Sequence, residues 1–151
     1  MKLILQQQND ISETEVEIRY AELDDSVLDL INRVGKSNQY ISGEDNGRQY
    51  RILPDDIYYI ESVDKKTFVY TETRVFRCDM KLYQILEKLN SAVFVQVSKS
   101  CILNINVLDN IHAIYNSKME GTLINGEKII ISRTFIPSIK SIFAEEGSDT
   151  I

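Results

Sequence analysis

The chain has 151 residues, of which 43% are hydrophobic and 26% charged, and its formal net charge is −6. This composition is typical of a folded domain and excludes a chain that is disordered along its whole length. Two cysteines and one histidine are too few for a disulfide framework or the commonest zinc sites, so we expect no metal and no cofactor. No apolar run is long enough to cross a membrane, and we expect a cytoplasmic protein.

The charge is distributed unevenly along the chain. Residues 1–46 hold four basic and ten acidic residues, whereas residues 47–144 hold 13 basic and ten acidic ones, a net charge of +3. We therefore predict an acidic extension over residues 1–45 and a mildly basic module over residues 46–144. Residues 145–151 are predicted to be a flexible acidic tail.

The extension is predicted to be a small β-β-α unit. Residues 2–6 and 14–22 are predicted strands, and the second alternates apolar with charged residues, as a half-buried strand does. A short helix is expected next, because apolar residues recur at helical spacing after Asp24 and Asp25, either of which can cap it, and Gly35 ends the run.

The rest of the chain is predicted to be strand-rich. Asn46-Gly47 and Asn125-Gly126 each lie between β-prone runs, which is typical of tight hairpins. A helix capped by Asp79 is predicted where leucine and isoleucine recur at helical spacing, and Pro137 indicates a closing helix that begins late. The predicted strands are 57–63, 67–71, 75–78, 94–97, 101–103, 107–115, 121–124 and 128–131. The predicted fold class is mainly β with short helices (α+β).

Three polar clusters at the boundaries of these elements are the candidate binding residues. They are Lys65-Lys66-Thr67, Ser98-Lys99-Ser100 and Ser132-Arg133-Thr134. Ammonium and hydroxyl groups donate to phosphate oxygens, and an arginine can pair bidentately with guanine. Each cluster alone also fits an ordinary solvated turn. The second interrupts an apolar run, which indicates a bulge or a turn.

Three segments, in order along the chain, carry a family resemblance. They are LPDDIYYIESVDKKTFVYT, LYQILEKLNSAVFVQVSKSCILNINVLDNI and NGEKIIISRTFIPSIK. Together they make the stretch from Arg51 to Phe143 resemble the LytTR DNA-binding domain of bacterial response regulators of the LytR/AlgR type. The sequence departs from the family pattern in the central segment, where Ser98 replaces the usual histidine and Gln96 the usual arginine.

The resemblance implies an elongated arrangement of antiparallel sheets in which loops between strands enter the grooves of DNA. The first cluster is then expected at a major groove, the second at the intervening backbone and minor groove, and the third at the neighbouring major groove. Base reading is assigned to Arg133, Lys66 and Thr67. Contacts to the backbone or minor groove are assigned to Lys65, Ser98, Lys99, Ser100, Ser132 and Thr134.

The leading prediction is a sequence-specific transcriptional regulator that binds double-stranded DNA, as a homodimer on repeated half-sites and without catalysis or a small-molecule substrate. Residues 1–45 are too short for a receiver domain, so a stand-alone regulator is expected. The extension is predicted to mediate dimerisation or to dock a regulator, and the resemblance implies that this regulator is a membrane-bound regulatory protein. It fits the sequence equally well that the extension simply adds strands to the sheet. The alternative function is a β-rich protein–protein interaction module. A small enzyme that uses Cys78 or Cys101 is the least favoured.

Overall fold

The computed structural model describes residues 1–36 and 39–148. Its helices are Asp25–Lys36 (α1), Leu82–Lys88 (α2) and Ile136–Ser148 (α3). Its strands β1 to β10 are Ile41–Asp45, Arg48–Ile52, Tyr59–Val63, Lys66–Tyr70, Val75–Cys78, Phe94–Ser98, Cys101–Asn104, Leu108–Ala113, Met119–Leu123 and Lys128–Ile131. In the part of the chain described, no helix is long and apolar enough to span a membrane.

The strands form two antiparallel sheets. Seven of them pair in the order β2-β1-β5-β4-β3-β7-β6, and the other three in the order β10-β9-β8. The predicted fold class, mainly β with short helices, is confirmed. All the strands predicted between residues 57 and 131 are present, with ends shifted by at most a few residues.

Tight turns join neighbouring strands. Asn46 and Gly47 both have positive φ, 52° and 79°, so the first predicted hairpin is confirmed with the backbone geometry that favours asparagine and glycine. The turn between β3 and β4 has the same character, with φ values of 50° at Asp64 and 66° at Lys65. Such turns match the twist of the flanking strands and hold their register.

The large sheet has buried residues on both faces at β6 and β7, which gives the fold two hydrophobic cores. One core lies under α2, where Ile60, Ile85 and Ile102 are fully buried. The other joins the large sheet to the small sheet and α3, through Leu103 and Ile139 among others. The residues of β7 are all buried, as expected for a strand packed on both faces.

Helix α2 begins later than predicted, and helix α3 ends later than predicted. Asp79 does not cap α2, because the helix begins at Leu82 and the Lys81 N–H donates to Gln84 Oε1 at 2.8 Å. Residues 133–135 form a 3-10 turn, so the late start of the last helix is confirmed. That helix continues to Ser148, which corrects the flexible tail predicted from residue 145, while residues 149–151 lie outside the described residues.

The strands predicted over residues 2–6 and 14–22 are not formed, and that prediction was wrong. A strand needs a neighbour for its N–H and C=O groups, and in the described chain no sheet pairing includes these residues. The predicted helix of the extension is confirmed as α1. It is capped by Asp24, whose carboxylate accepts hydrogen bonds from the Val27 N–H and the Ser26 hydroxyl, which lower its pKa.

The large sheet begins before the predicted module. Strand β1, Ile41–Asp45, pairs with β2 along its whole length and meets β5 where Glu44 lies opposite Arg77. The predicted boundary at residues 45 and 46 therefore falls at the turn of a hairpin, and β1 is part of the sheet.

Candidate nucleic-acid interface

Strand pairing brings the first two polar clusters side by side. Glu61 of β3 lies opposite Cys101 of β7, and the Ser62 N–H donates to the Ser100 carbonyl at 2.8 Å. The β3–β4 turn at Asp64 and Lys65 and the β6–β7 turn therefore lie at the same end of the large sheet.

The third cluster lies on the other side of the β6–β7 turn. The Ser132 N–H donates to the Val97 carbonyl at 2.9 Å, one residue before Ser98. Arg133 follows in the exposed 3-10 turn. The three clusters thus occur in the order first, second, third across one end of the fold, with Lys99 in the central cluster.

Most of the predicted site residues are accessible. Six are exposed, and Ser98 and Ser132 are half-buried. The exposed residues are Lys65, Lys66, Lys99, Ser100, Arg133 and Thr134. Thr67 is only 5% exposed, so its side chain offers little surface to a base edge, and its role in base reading stays a prediction. It follows Lys66 in β4, where alternation turns its side chain to the opposite face of the sheet.

Ser98 has a structural role in the central turn. Its hydroxyl accepts a hydrogen bond from the Ser100 N–H at 3.2 Å and lies 3.4 Å from the Ser100 hydroxyl. The pairing register shifts between Gln96 and Ser98, so the polar interruption of the apolar run produces an irregular turn, as expected. This turn presents Lys99 to solvent.

A depression of about 510 Å³ lies between the two hairpin turns and the start of α2. We call it the basic groove. Its lining includes five cations and one acid, Asp79. The cations are Lys65, Lys66, Arg77, Lys81 and Lys99.

No ion pair of the described residues includes any of these cations, although Asp79 lines the groove and Glu44 lies opposite Arg77. The ion pairs of the described residues use Arg19, Arg74, His112 and Lys128, none of which lines the groove. Like charges that share a concave surface repel each other and raise the local positive potential. The groove is therefore suited to a polyanion, whose phosphates relieve the repulsion.

Arg77 and Lys81 were missed by sequence reasoning. Arg77 is the exposed residue between buried Phe76 and Cys78 in β5, and Lys81 directly precedes α2. Strand β5 pairs with β4 so that Cys78 lies opposite Thr67, next to the first cluster. This register brings Arg77 to the groove, and the sequence offers no local signal for it.

The two cysteines are buried, and the single histidine is exposed. Burial raises the pKa of the Cys101 thiol to about 12, and burial likewise raises the pKa of Cys78. Since the thiolate is the nucleophile, neither thiol is activated. His112 lies 3.6 Å from Glu120 on an exposed strand, and no metal-ligand cluster occurs among the described residues.

Comparison with known proteins gives a family for most of the chain. Residues 47–144 match the family described as the LytTr DNA-binding domain. The chain is similar to the sensory transduction protein LytT of Enterococcus faecalis, with 29% identity over 100 residues, 66% of this chain and 40% of that protein. It is also similar to the LytT protein of Bacillus anthracis, with 32% identity over 88 residues, 58% of this chain and 36% of that protein.

The fold has a counterpart among solved structures. A LytTr DNA-binding domain of a putative methyl-accepting/DNA response regulator from Bacillus cereus superposes with a TM-score of 0.66 at 20% identity. The superposition covers 70% of this chain and 97% of that one. The chain thus shares the fold of that domain and spans about two fifths of the length of the curated relatives.

Proposed function

The chain belongs to the LytTR DNA-binding domain family, and from this we propose that it regulates transcription by binding double-stranded DNA through the turns at one end of its large sheet. One observation carries the proposal: five cations, none of which takes part in an ion pair of the described residues, line one groove between the β3–β4 and β6–β7 turns. Phosphate contacts of this kind provide affinity and position the protein on the duplex.

We assign base reading to Arg133, with Lys66 as the second candidate. Arg133 is exposed, lies beside the central turn and takes part in no ion pair of the described chain. Its guanidinium presents a planar fork of donors that matches the two acceptors of guanine in the major groove. Lys66 is exposed at the first residue of β4 and lines the groove.

Phosphate contacts are assigned to the remaining donors, all of which are exposed except the half-buried Ser132. This group includes two residues outside the predicted clusters, Arg77 and Lys81. Its members are Lys65, Arg77, Lys81, Lys99, Ser100, Ser132 and Thr134. Ser98 is assigned to hold the central turn, because its hydroxyl already accepts a hydrogen bond within the turn.

The proposal includes a homodimer that binds repeated half-sites. The module from residue 47 to residue 144 carries a net charge of only +3. Such a charge favours modest affinity for a single site, which two linked copies would increase by avidity. The membrane-bound regulatory protein stays a prediction, since no feature of the described residues points to it.

Selection from a pool of randomised duplexes, followed by fluorescence anisotropy, tests the proposed function. We expect an enriched sequence on which Arg133→Ala costs about 1–3 kcal/mol and loses discrimination at one base pair. Arg133→Lys keeps the charge without the fork, so it should lose the same discrimination and less of the affinity.

Lys99→Ala is the matched variant for phosphate contact, and it should weaken the selected and the random duplexes equally. Lys128→Ala serves as a control, because Lys128 lies 3.5 Å from Glu120 and does not line the groove. A pool without enrichment, or unchanged binding by both the Arg133 and Lys99 variants, would show that the assignment is wrong. A partner captured without steep salt dependence would favour the protein-interaction alternative.

A further inference from the structure

An acidic segment of the extension has the pattern of a strand but pairs with no strand of the described residues. This acidic segment, residues 13–22, carries four glutamates and one arginine, a net charge of −3. Val16, Ile18 and Tyr20 alternate with charged residues, yet Val16 is 62% and Tyr20 53% exposed. In the described structure these residues pair with no strand.

Two sheet edges remain open in the described chain. The edges at β6 and β10 meet each other, since the Ser132 N–H that follows β10 donates to the Val97 carbonyl of β6. Strands β2 and β8 are the other edges. An open edge exposes N–H and C=O groups that can pair with another chain.

Charge distinguishes the two open edges. Strand β2 carries Arg48 and Arg51 and no acid, whereas β8 carries Asp109 and His112 and neither lysine nor arginine. Arg51 is exposed, and its guanidinium lies over the Tyr40 ring with no acid beside it in the described ion pairs. Although Asp45 lies opposite Arg48 and Asp55, Asp56 and Glu72 line a depression beside Arg51, β2 is the more basic of the two strands and the more favourable edge for an acidic strand.

The faces of β2 also match those of the acidic segment. Asp45 and Arg48 flank the two-residue turn as a hydrogen-bonded pair, so the backbone groups of Gln49 and Arg51 point to the open edge. Tyr50 and Ile52 lie on the core face of β2, and Gln49 and Arg51 on the solvent face. A strand added at this edge would extend the core face with Val16, Ile18 and Tyr20 and bring Glu15 and Glu17 to the side of Arg51.

We propose that the acidic segment of one chain adds as a strand to the β2 edge of a second copy, and that the exchange is reciprocal. An isolated molecule could pair the acidic segment with its own β2 strand, yet in the described structure the segment is not paired with that strand. The second copy is therefore the occupant. A reciprocal exchange gives a closed dimer with two equivalent interfaces. The proposal rests on the dimer included in the proposed function and does not require DNA.

Sedimentation equilibrium of the full chain without DNA tests this pairing. The wild type should form dimers, and Ile18→Pro should raise the dimer dissociation constant at least ~10-fold, because proline removes an N–H and blocks a paired strand. Ile11→Pro, in the same extension but outside the acidic segment, should leave the constant unchanged. Circular dichroism should show the same fold for all three proteins.

A charge exchange tests the choice of edge. Glu15→Lys/Glu17→Lys and Arg51→Glu should each weaken the dimer, and combining them should restore it, whereas Asp109→Lys on β8 should have no effect. A wild type with a dissociation constant weaker than ~1 mM would overturn the proposal, as would equal effects of the two proline variants. Hydrogen-exchange protection of the segment in a monomer would also overturn it, since it would show pairing within one chain.

Binding of each variant to a single-site duplex separates this proposal from the DNA-binding function. The β2 edge does not line the basic groove, so the variants should bind one site as the wild type does. Intact DNA binding without a segment-dependent dimer would refute only the pairing. A segment-dependent dimer that binds no DNA would refute only the proposed function.

Discussion

Removing Arg77 and Lys81 together measures how many phosphates the basic groove contacts. Four groove cations, Lys65, Arg77, Lys81 and Lys99, are assigned to phosphates, and if each contacts one phosphate the logarithm of the binding constant falls with the logarithm of salt concentration at a slope of about −3.6. Affinity would then drop about 150-fold between 50 and 200 mM salt. Without Arg77 and Lys81 the slope becomes about −1.8 and the drop about 12-fold.

The assay is anisotropy of a labelled duplex over a series of salt concentrations. Arg77→Ala/Lys81→Ala is compared with Lys118→Ala/Lys128→Ala, which removes the same charge from residues outside the groove. The control should retain the steep slope. Equal loss of slope in both doubles would refute the reasoning, because it would make net charge, and not groove contacts, responsible for the salt dependence.

Three further predictions concern the scaffold. Gly43→Ala places a Cβ 2.7 Å from Phe76 Cβ, so we expect a loss of about 1–3 kcal/mol in urea unfolding, and an unchanged midpoint would contradict the packing. Asn104→Ala removes the buried 2.8 Å hydrogen bond from Nδ2 to the Ile57 carbonyl and should cost about 1–3 kcal/mol in the same assay, and an unchanged free energy of unfolding would contradict a stabilising role for this bond. Burial raises the pKa of Cys101 from 9.0 to about 12, so the thiolate forms first in the unfolded chain and the free energy of unfolding should fall as pH rises from 9 toward 12. Cys101→Ala should flatten that fall, and parallel pH profiles for the two proteins would contradict it.

Features encoded by neighbouring residues could be predicted from the sequence. The Asn46-Gly47 turn follows from the tolerance of both residues for positive φ, and α2 follows from apolar residues at helical spacing, of which Ile85 and Leu89 are almost fully buried. The polar interruption after Val97 indicated a turn because an uninterrupted strand would have stayed apolar. In each case the cause lies within a few residues.

Features set by pairing between distant strands could not be predicted. Alternation over residues 14–22 indicates a strand but says nothing about its partner, and without a partner the described structure leaves the segment irregular. Thr67 is the first residue of a predicted strand, and the strand begins one residue earlier, at Lys66; the burial of the Thr67 side chain follows from the pairing of β4 with its neighbours. Arg77 has no groove around it until β5 pairs with β4.

The same pairing explains how neighbouring turns can contribute to the proposed binding surface. In an isolated hairpin turn the distances between cations vary. Here the Ser62–Ser100 and Ser132–Val97 backbone hydrogen bonds link the three clusters. The cations therefore keep fixed spacing although their side chains are solvated. This spacing depends on the pairing of β3 with β7, where Ile60 lies opposite Ile102 and both side chains are fully buried. A substitution of either isoleucine should therefore change DNA affinity although the charge of the protein stays the same. Loss of stability without any change in affinity would show that the turns hold their positions independently of the sheet.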